Sequence, residues 1–351
     1  MRIAQVAPLY ESVPPQAYGG TERVVSDLTE ELVDQGHDVT LFASGDSRTR
    51  ARLVAVCQRS LRLDPISVDQ TAHHVLAVEQ VYRRAAEFDF IHFHLDYLHF
   101  PTTRRQRVPN LTTLHGRLDI PDLVPLYREF ADMPVVSISN AQRRPLPWID
   151  WRATVYHGLP VDSFPFSPRS GGYLAFLGRV SPEKGLEPAI EIARRSGLPL
   201  RIAAKVDRAD QEYFESVIRP LLDEPHVDFL GEIGGAAKAE FLGGATALLF
   251  PIDWPEPFGL VMIEAMACGT PIIARGRGSV PEVMADPRSG FVCETVEEAV
   301  AAVARLPDVS RQGCRRVFEE RFTAPRMAAQ YMEIYHALIE EACDARARAR
   351  A

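Results

Sequence analysis

The residue types that can do chemistry cluster in one segment, Pro251-Ile252-Asp253-Trp254-Pro255-Glu256-Pro257-Phe258-Gly259-Leu260-Val261-Met262-Ile263-Glu264-Ala265-Met266-Ala267-Cys268-Gly269-Thr270-Pro271. An apolar strand enters a Pro-rich turn, and a short helix begins near Gly259 and stops at Gly269, where Pro271 forbids continuation. The start of such a helix offers unpaired N–H groups and a partial positive charge, so Phe258, Gly259, Leu260 and Val261 suit a phosphate or sugar oxygens. Glu264 stands among apolar neighbours, where a carboxylate is costly unless specific donors reach it. A vicinal diol supplies two such donors; an arginine or the backbone is the alternative. Glu256 and Glu264 are eight positions apart, a rise of about 12 Å in a full helix. A retaining glycosidase needs its two carboxyl groups about 5–5.5 Å apart. The spacing fits two contacts along one elongated ligand instead.

A second constellation is Phe176-Leu177-Gly178-Arg179-Val180-Ser181-Pro182-Glu183-Lys184-Gly185. It follows a strand and precedes a helix, which puts Arg179 and Lys184 at the carboxyl edge of a sheet. A planar guanidinium and an ammonium suit a pyrophosphate leaving group; solvated surface cations are the plainer alternative. Gly19 and Gly20, in Tyr18-Gly19-Gly20-Thr21-Glu22, let backbone approach a ligand or simply turn the chain. The pair is not a G-x-G-x-x-G. His115 ends a strand in Thr113-Leu114-His115-Gly116 and is expected to point toward a ligand. His92, His94 and Asp96 alternate along another strand end. They lack a fourth spaced ligand for a metal, so no metal site is expected.

These residues need elements to hold them. Arg2–Ala7 reads as a strand, Val24, Val25, Leu28 and Leu32 recur at helical spacing, and Val39–Ala43 is the next strand. Short apolar runs at Phe90–Phe93, Leu111–Leu114, Val135–Ile138 and Ala153–Tyr156 continue the pattern of a parallel sheet covered on both faces. The stretch Pro160–Gly172 is rich in Pro and Gly and marks a boundary. Alternation then restarts with strands at Tyr173–Leu177, Leu200–Ala204, Val227–Leu230, Ala247–Pro251 and Pro271–Ala274 and helices at Leu186–Ala193 and Leu260–Ala267. Two doubly wound α/β units are expected, with a cleft between the carboxyl ends of their strands. A last helical pattern, Ala324–Glu341, is expected to pack across the junction.

Length and composition agree. The 351 residues are 46% hydrophobic and 25% charged, which predicts two globular domains. Lys plus Arg is 39 against 47 Asp plus Glu, a net charge of −8 and the wrong sign for nucleic acid. No run of 18 apolar residues exists to span a bilayer. The first residues enter a strand without the apolar core of a signal peptide, so a cytoplasmic protein is expected. Cys57, Cys268, Cys293, Cys314 and Cys343 are odd in number and scattered, as reduced thiols are. Two basic clusters, Arg104-Arg105-Gln106-Arg107 and Arg346, Arg348, Arg350, offer a peripheral membrane contact or a solvated face and tail.

Taken together, these motifs resemble the retaining nucleotide-sugar glycosyltransferases of the GT-B fold, glycosyltransferase family four, whose signature is E-x(7)-E in this setting. The Gly19-Gly20 loop, His115-Gly116, the Arg179 to Lys184 clamp, Gly278-Ser279-Val280-Pro281-Glu282-Val283 and Gly290-Phe291-Val292 match in order. Where members often show Asn-Gly-Val-Asp, this chain has His157-Gly158-Leu159-Pro160-Val161-Asp162. The resemblance implies an acceptor-side domain over 1–165, a donor domain over 166–323, and a crossover helix with a basic tail over 324–351. It implies transfer from a UDP- or GDP-sugar to a hydroxyl acceptor with retention, no cofactor and no metal. Glu264 would hold ribose, Arg179 and Lys184 the diphosphate, Glu256 sugar hydroxyls, and Glu232 and Ile233 would flank the base. His115 would touch the sugar near the reacting carbon, and His94 and Asp96 would line the acceptor side. A nucleotide-sugar 2-epimerase and a non-catalytic sugar-nucleotide-binding protein are the rival readings.

Overall fold

The computed structural model describes residues 1–16 and 19–350, with no side-chain description of 349 and 350. Tyr18 of the Gly-rich loop lies outside the described residues. The chain divides into two compact units, one comprising Met1–Gly158 together with the chain from Ala324 onward, the other Leu159–Thr323. The C-terminal helix is not a separate element: it packs on the helix of the first unit that opens at Gly20.

The first unit holds a parallel seven-stranded sheet in the order β3-β2-β1-β4-β5-β6-β7, formed by β1 (Arg2–Val6), β2 (Asp38–Ser44), β3 (Arg52–Cys57), β4 (Phe90–Phe93), β5 (Asn110–Thr113), β6 (Val135–Ser137) and β7 (Trp151–Thr154). Ile3, Ala4, Val6, Phe90, Ile91 and Phe93 are buried to 0% exposure, because strands covered on both faces have no solvent side to alternate with. Gln5 is the exception in that run, a polar side chain at 0% exposure in the central strand. It must be hydrogen-bonded there.

The second unit holds a parallel six-stranded sheet in the order β10-β9-β8-β11-β12-β13: β8 (Leu174–Arg179), β9 (Leu200–Lys205), β10 (Val227–Gly231), β11 (Ala247–Phe250), β12 (Ile272–Arg275) and β13 (Gly290–Cys293). The strand order reverses between β8 and β11, the kind of position where open α/β sheets bind ligands. Arg179 ends β8. The short 3-10 turn Pro182–Lys184 follows, and then the helix Leu186–Ser196. Gly185 between them has φ +75, and a Cβ there would lie 2.1 Å from the carbonyl oxygen of Pro251. Only glycine lets the Lys184 turn close onto the end of β11. From β11 the chain runs through the Pro-rich turn into the helix Leu260–Cys268. Two strands escaped the sequence reading, β3 and β13, and both are sheet edges.

Candidate functional site

In the second unit the turn after β8 and the turn after β11 bring Lys184 and Glu256 together. The Lys184 Nζ lies 2.6 Å from Glu256 Oε2, the side chains being 17% and 12% exposed. The same carboxylate oxygen accepts a hydrogen bond from Trp254 Nε1 at 3.0 Å, and the Lys184 ammonium stands 4.4 Å from the Trp254 ring centroid, a cation–π distance. The backbone of the turn is held as tightly. Asp253 donates its N–H to the Glu183 carbonyl, and Ser279 donates its N–H to the Glu256 carbonyl, both at 2.9 Å. At Gly278, with φ +56, a Cβ would lie 2.4 Å from the Glu256 nitrogen. The glycine is the reason this loop can rest on Glu256.

Arg179 does not stand free beside Lys184. Its guanidinium meets Glu183 at 2.6 Å, Asp210 at 3.5 Å and Asp207 at 3.8 Å, and Lys205 reaches Asp207 at 3.1 Å. Any anion that binds at Arg179 must compete with these carboxylates. Glu264 lies on the helix Leu260–Cys268 with its side chain 6% exposed, ion-paired with Lys238. The charge that sequence reasoning asked for is supplied by a lysine rather than an arginine or backbone.

The remaining donor-side residues fall as follows. Phe258 is a core side chain, packed edge-on against Phe322, and its carbonyl accepts from Ser279 Oγ at 2.9 Å; any ligand contact must come from its backbone. Leu260 and Val261 form the first turn of the helix behind Gly259, without a side-chain cap. Glu232 is exposed and Ile233 half-buried in the loop between β10 and the helix Gly235–Gly244 that carries Lys238. A cavity of about 310 Å³ over β12 and β13, lined by Pro188, Ile192, Ile273 and Val296 with Arg275 and Glu294, includes none of the candidate donor-binding or catalytic residues.

In the first unit, Gly19 caps the helix Gly20–Asp34 without a side-chain hydrogen bond. His115, His94 and His92 belong to one hydrogen-bonded network in which His92 and His94 are buried and His115 is half-buried. His94 Nδ1 is 2.9 Å from His115 Nε2 and its own Nε2 is 2.9 Å from Gln5 Oε1. With both ring nitrogens engaged at 2% exposure, His94 has no ring nitrogen free for a ligand. His92 bonds Tyr335 OH at 2.7 Å and Thr113 Oγ1 at 2.8 Å. The His115 ring stacks on His157 at 5.4 Å between centroids, and its Nδ1 is buried with no hydrogen-bond partner among the described residues. Burial pushes the His115 pKa down to about 3 and those of His92, His94 and His157 well below the ordinary value, because an imidazolium cannot be solvated there. Asp96 adopts φ +48, and burial raises its carboxyl to about 6 against a lowering contribution from the His115 backbone.

Lys238, Trp254, Gln5, Tyr331 and Tyr335 escaped the sequence reading of the site. Trp254 adjoins the Glu256 motif, and Gln5 interrupts an apolar strand, so each left a local signal. Lys238, Tyr331 and Tyr335 left none.

The basic clusters are partly neutralised. Arg104 pairs with Glu129 and Asp132 at 2.9 and 3.1 Å. The C-terminal segment stays helical to Arg350, with Arg346 donating to the Arg107 carbonyl at 2.6 Å. No helix among the described residues is long and apolar enough to cross a membrane.

Two Rossmann-like domains of parallel sheet, the second carrying paired cations and carboxylates where its strand order reverses, define a GT-B glycosyltransferase. The chain belongs to glycosyltransferase family four: the family described as Glycosyltransferase Family 4 matches residues 18–159, and that described as Glycosyl transferases group 1 matches residues 165–316. It is 25% identical to the phosphatidyl-myo-inositol mannosyltransferase of Mycobacterium leprae over 95% of this chain and 96% of that protein. Among solved structures it is similar to AviGT4, a glycosyltransferase involved in avilamycin A biosynthesis, with TM-score 0.75 and 25% identity over 97% of this chain and 98% of the other. HepE of Anabaena, solved in complex with UDP and glucose, shares the fold with TM-score 0.74 and 18% identity over 96% of this chain and all of the other.

Proposed function

We propose that this glycosyltransferase moves a sugar from a UDP- or GDP-sugar to a hydroxyl acceptor, with retention at the anomeric carbon and without a metal. The observation that carries the reading is that each glutamate of the eight-spaced pair faces a lysine, Glu256 with Lys184 and Glu264 with Lys238. In this reading Glu264 accepts the ribose hydroxyls, Arg179 and Lys184 hold the diphosphate, Glu256 accepts from the transferred sugar, and His115 touches that sugar. The complex of HepE with UDP and glucose supports a nucleotide-sugar donor. The bond from the anomeric carbon to the diphosphate oxygen breaks as the bond to the acceptor oxygen forms, and the leaving oxygen takes the acceptor's proton. The protein then supplies alignment and charge stabilisation, and no side chain need act as base. The five free cysteines fit a reducing, cytoplasmic setting.

The two carboxylates have separable roles. Glu264→Gln should weaken the sugar nucleotide and the bare nucleoside diphosphate by a similar factor, since both carry the ribose. Glu256→Gln should spare nucleoside diphosphate affinity, or raise it by releasing Lys184, while slowing the chemical step, because its contact is made with the sugar. Calorimetric titration with UDP and GDP beside single-turnover rates checks this; the reverse pattern would place the donor in the opposite direction. Activity should also persist in excess chelator. Complete loss, restored by a divalent ion, would overturn the metal-free reading.

A further inference from the structure

A hydrogen-bonded chain runs through the interior of the first unit from β1, β4 and β5 to the helix Ala324–Arg350. Its hub is Gln5, whose Oε1 faces His94 Nε2 at 2.9 Å and whose Nε2 donates to Tyr335 OH at 3.2 Å. An amide oxygen only accepts, so His94 must carry its proton on Nε2. A neutral imidazole has one N–H, which leaves His94 Nδ1 as an acceptor. Its partner is His115 Nε2 at 2.9 Å, so His115 is protonated on Nε2 and its Nδ1 holds a bare lone pair. The other arm takes its direction from the same amide. Tyr335 OH, having accepted from Gln5, donates to His92 Nδ1 at 2.7 Å, His92 Nε2 donates to Thr113 Oγ1 at 2.8 Å, and that hydroxyl donates to Tyr331 OH at 2.9 Å. Every member but His115 is satisfied with the histidines neutral, as burial requires. The one atom at the end of the chain without a partner among the described residues is His115 Nδ1.

We infer that Gln5 and His94 are positioning residues that hold His115 as the Nε2–H tautomer, so that its buried Nδ1 accepts a hydrogen bond from a hydroxyl of the transferred sugar. The assignment of that hydroxyl to the sugar rests on the donor reading given above; the tautomer does not. A lone pair at Nδ1 selects a ligand that donates at this point and disfavours one with a hydrogen-free oxygen or an apolar group there, because the nitrogen would then stay buried and unpaired. The stacked His157 ring holds the imidazole plane, so the direction of the lone pair is set along with its protonation. An amide turned the other way would reverse every bond in the chain and place the proton on His115 Nδ1.

Nitrogen-15 spectra of the full-length labelled protein, with the histidine signals assigned by single substitution, read the tautomer without any ligand. His115 should show a protonated Nε2 and a bare Nδ1. Gln5→Met should leave the fold intact by circular dichroism, move both His115 signals toward a tautomer average and lower kcat about tenfold, with affinity for nucleoside diphosphate unchanged. Gln5→Glu, which can only accept from His94, should restore the wild-type His115 signals. A proton found on Nδ1 in the wild type, or signals unmoved in folded Gln5→Met, would overturn the inference. Titration with UDP-glucose and GDP-mannose should shift His115 Nδ1, whereas UDP and GDP should not; a bound sugar nucleotide that leaves Nδ1 unmoved would also overturn it. If calorimetry finds that neither sugar nucleotide binds, the donor reading fails, and the ligand-free tautomer measurement still decides the roles of Gln5 and His94.

Discussion

Lys184→Ala and Arg179→Ala are each expected to lower turnover by at least ~10²-fold, about 2.7 kcal/mol of lost stabilisation of the leaving diphosphate. The two variants should differ in stability. Lys184 is largely buried and shares Glu256 Oε2 with Trp254 Nε1, so its removal leaves a mostly buried carboxylate with one donor and should cost about 1–3 kcal/mol. Arg179 is a third exposed and lies among three carboxylates. Its removal leaves like charges facing one another in a solvated setting, and the melting temperature should change little. Steady-state rates at saturating donor, with thermal unfolding of the same preparations, test both halves. Near-wild-type turnover in both variants would remove these cations from the site.

Acid should destabilise the first unit steeply. Burial holds His92, His94, His99, His115 and His157 below the ordinary histidine value of 6.5. Below pH 6.5 the unfolded chain takes up protons that the native state refuses, so stability is full above that pH and falls as pH drops, for His115 down to about 3. Each histidine contributes at most about 1.4 kcal/mol per pH unit. Asp96, raised to about 6, and Glu22, also raised by burial, act in the opposite sense. Their native forms hold protons that the unfolded chain has released, and so they add stability as pH falls through the same range. His37 and His74 are lowered by burial as well, so seven histidines oppose two carboxyls and the net effect of acid is a loss of stability. Urea titrations at pH 7.5, 6.5 and 5.5, followed by tryptophan fluorescence in a Trp254→Phe background that leaves Trp148 and Trp151 as reporters of the first unit, measure this. Equal midpoints at the three values would show that the histidines are solvated or paired with charge.

Most of the architecture was written in local pattern. Continuous apolar runs separated by helical periodicity are the signature of parallel sheets buried on both faces, and nine central or near-central strands announce themselves that way. The helix Leu260–Cys268 was bounded to within a residue because Gly259, Gly269 and Pro271 punctuate it. The missed strands lie at edges. Arg52–Cys57 has no buried residue, only half-buried and exposed ones, and Gly290–Cys293 is a short run opening on glycine, so neither has the burial that makes a strand legible. The helix Gln70–Arg83 was missed for a related reason, since Val75 and Leu76 face outward and blur its apolar stripe.

The site divides along the same line. Glu256, Glu264, Arg179 and Lys184 could be singled out because turn chemistry and residue type are properties of a few neighbouring positions. Their partners could not. Lys184 meets Glu256 across 72 positions, Glu264 meets Lys238 across 26, and His92 meets Tyr335 across 243. A parallel sheet joins strands through crossovers of a dozen or more residues, so which side chains share an edge is settled when the strands pair and the helices pack. That is also why His94, which follows β4 and alternates with His92, turned out to be enclosed: a strand pattern shows that 92 and 94 share a face, and only the helix arriving from the far end of the chain decides that the face is interior.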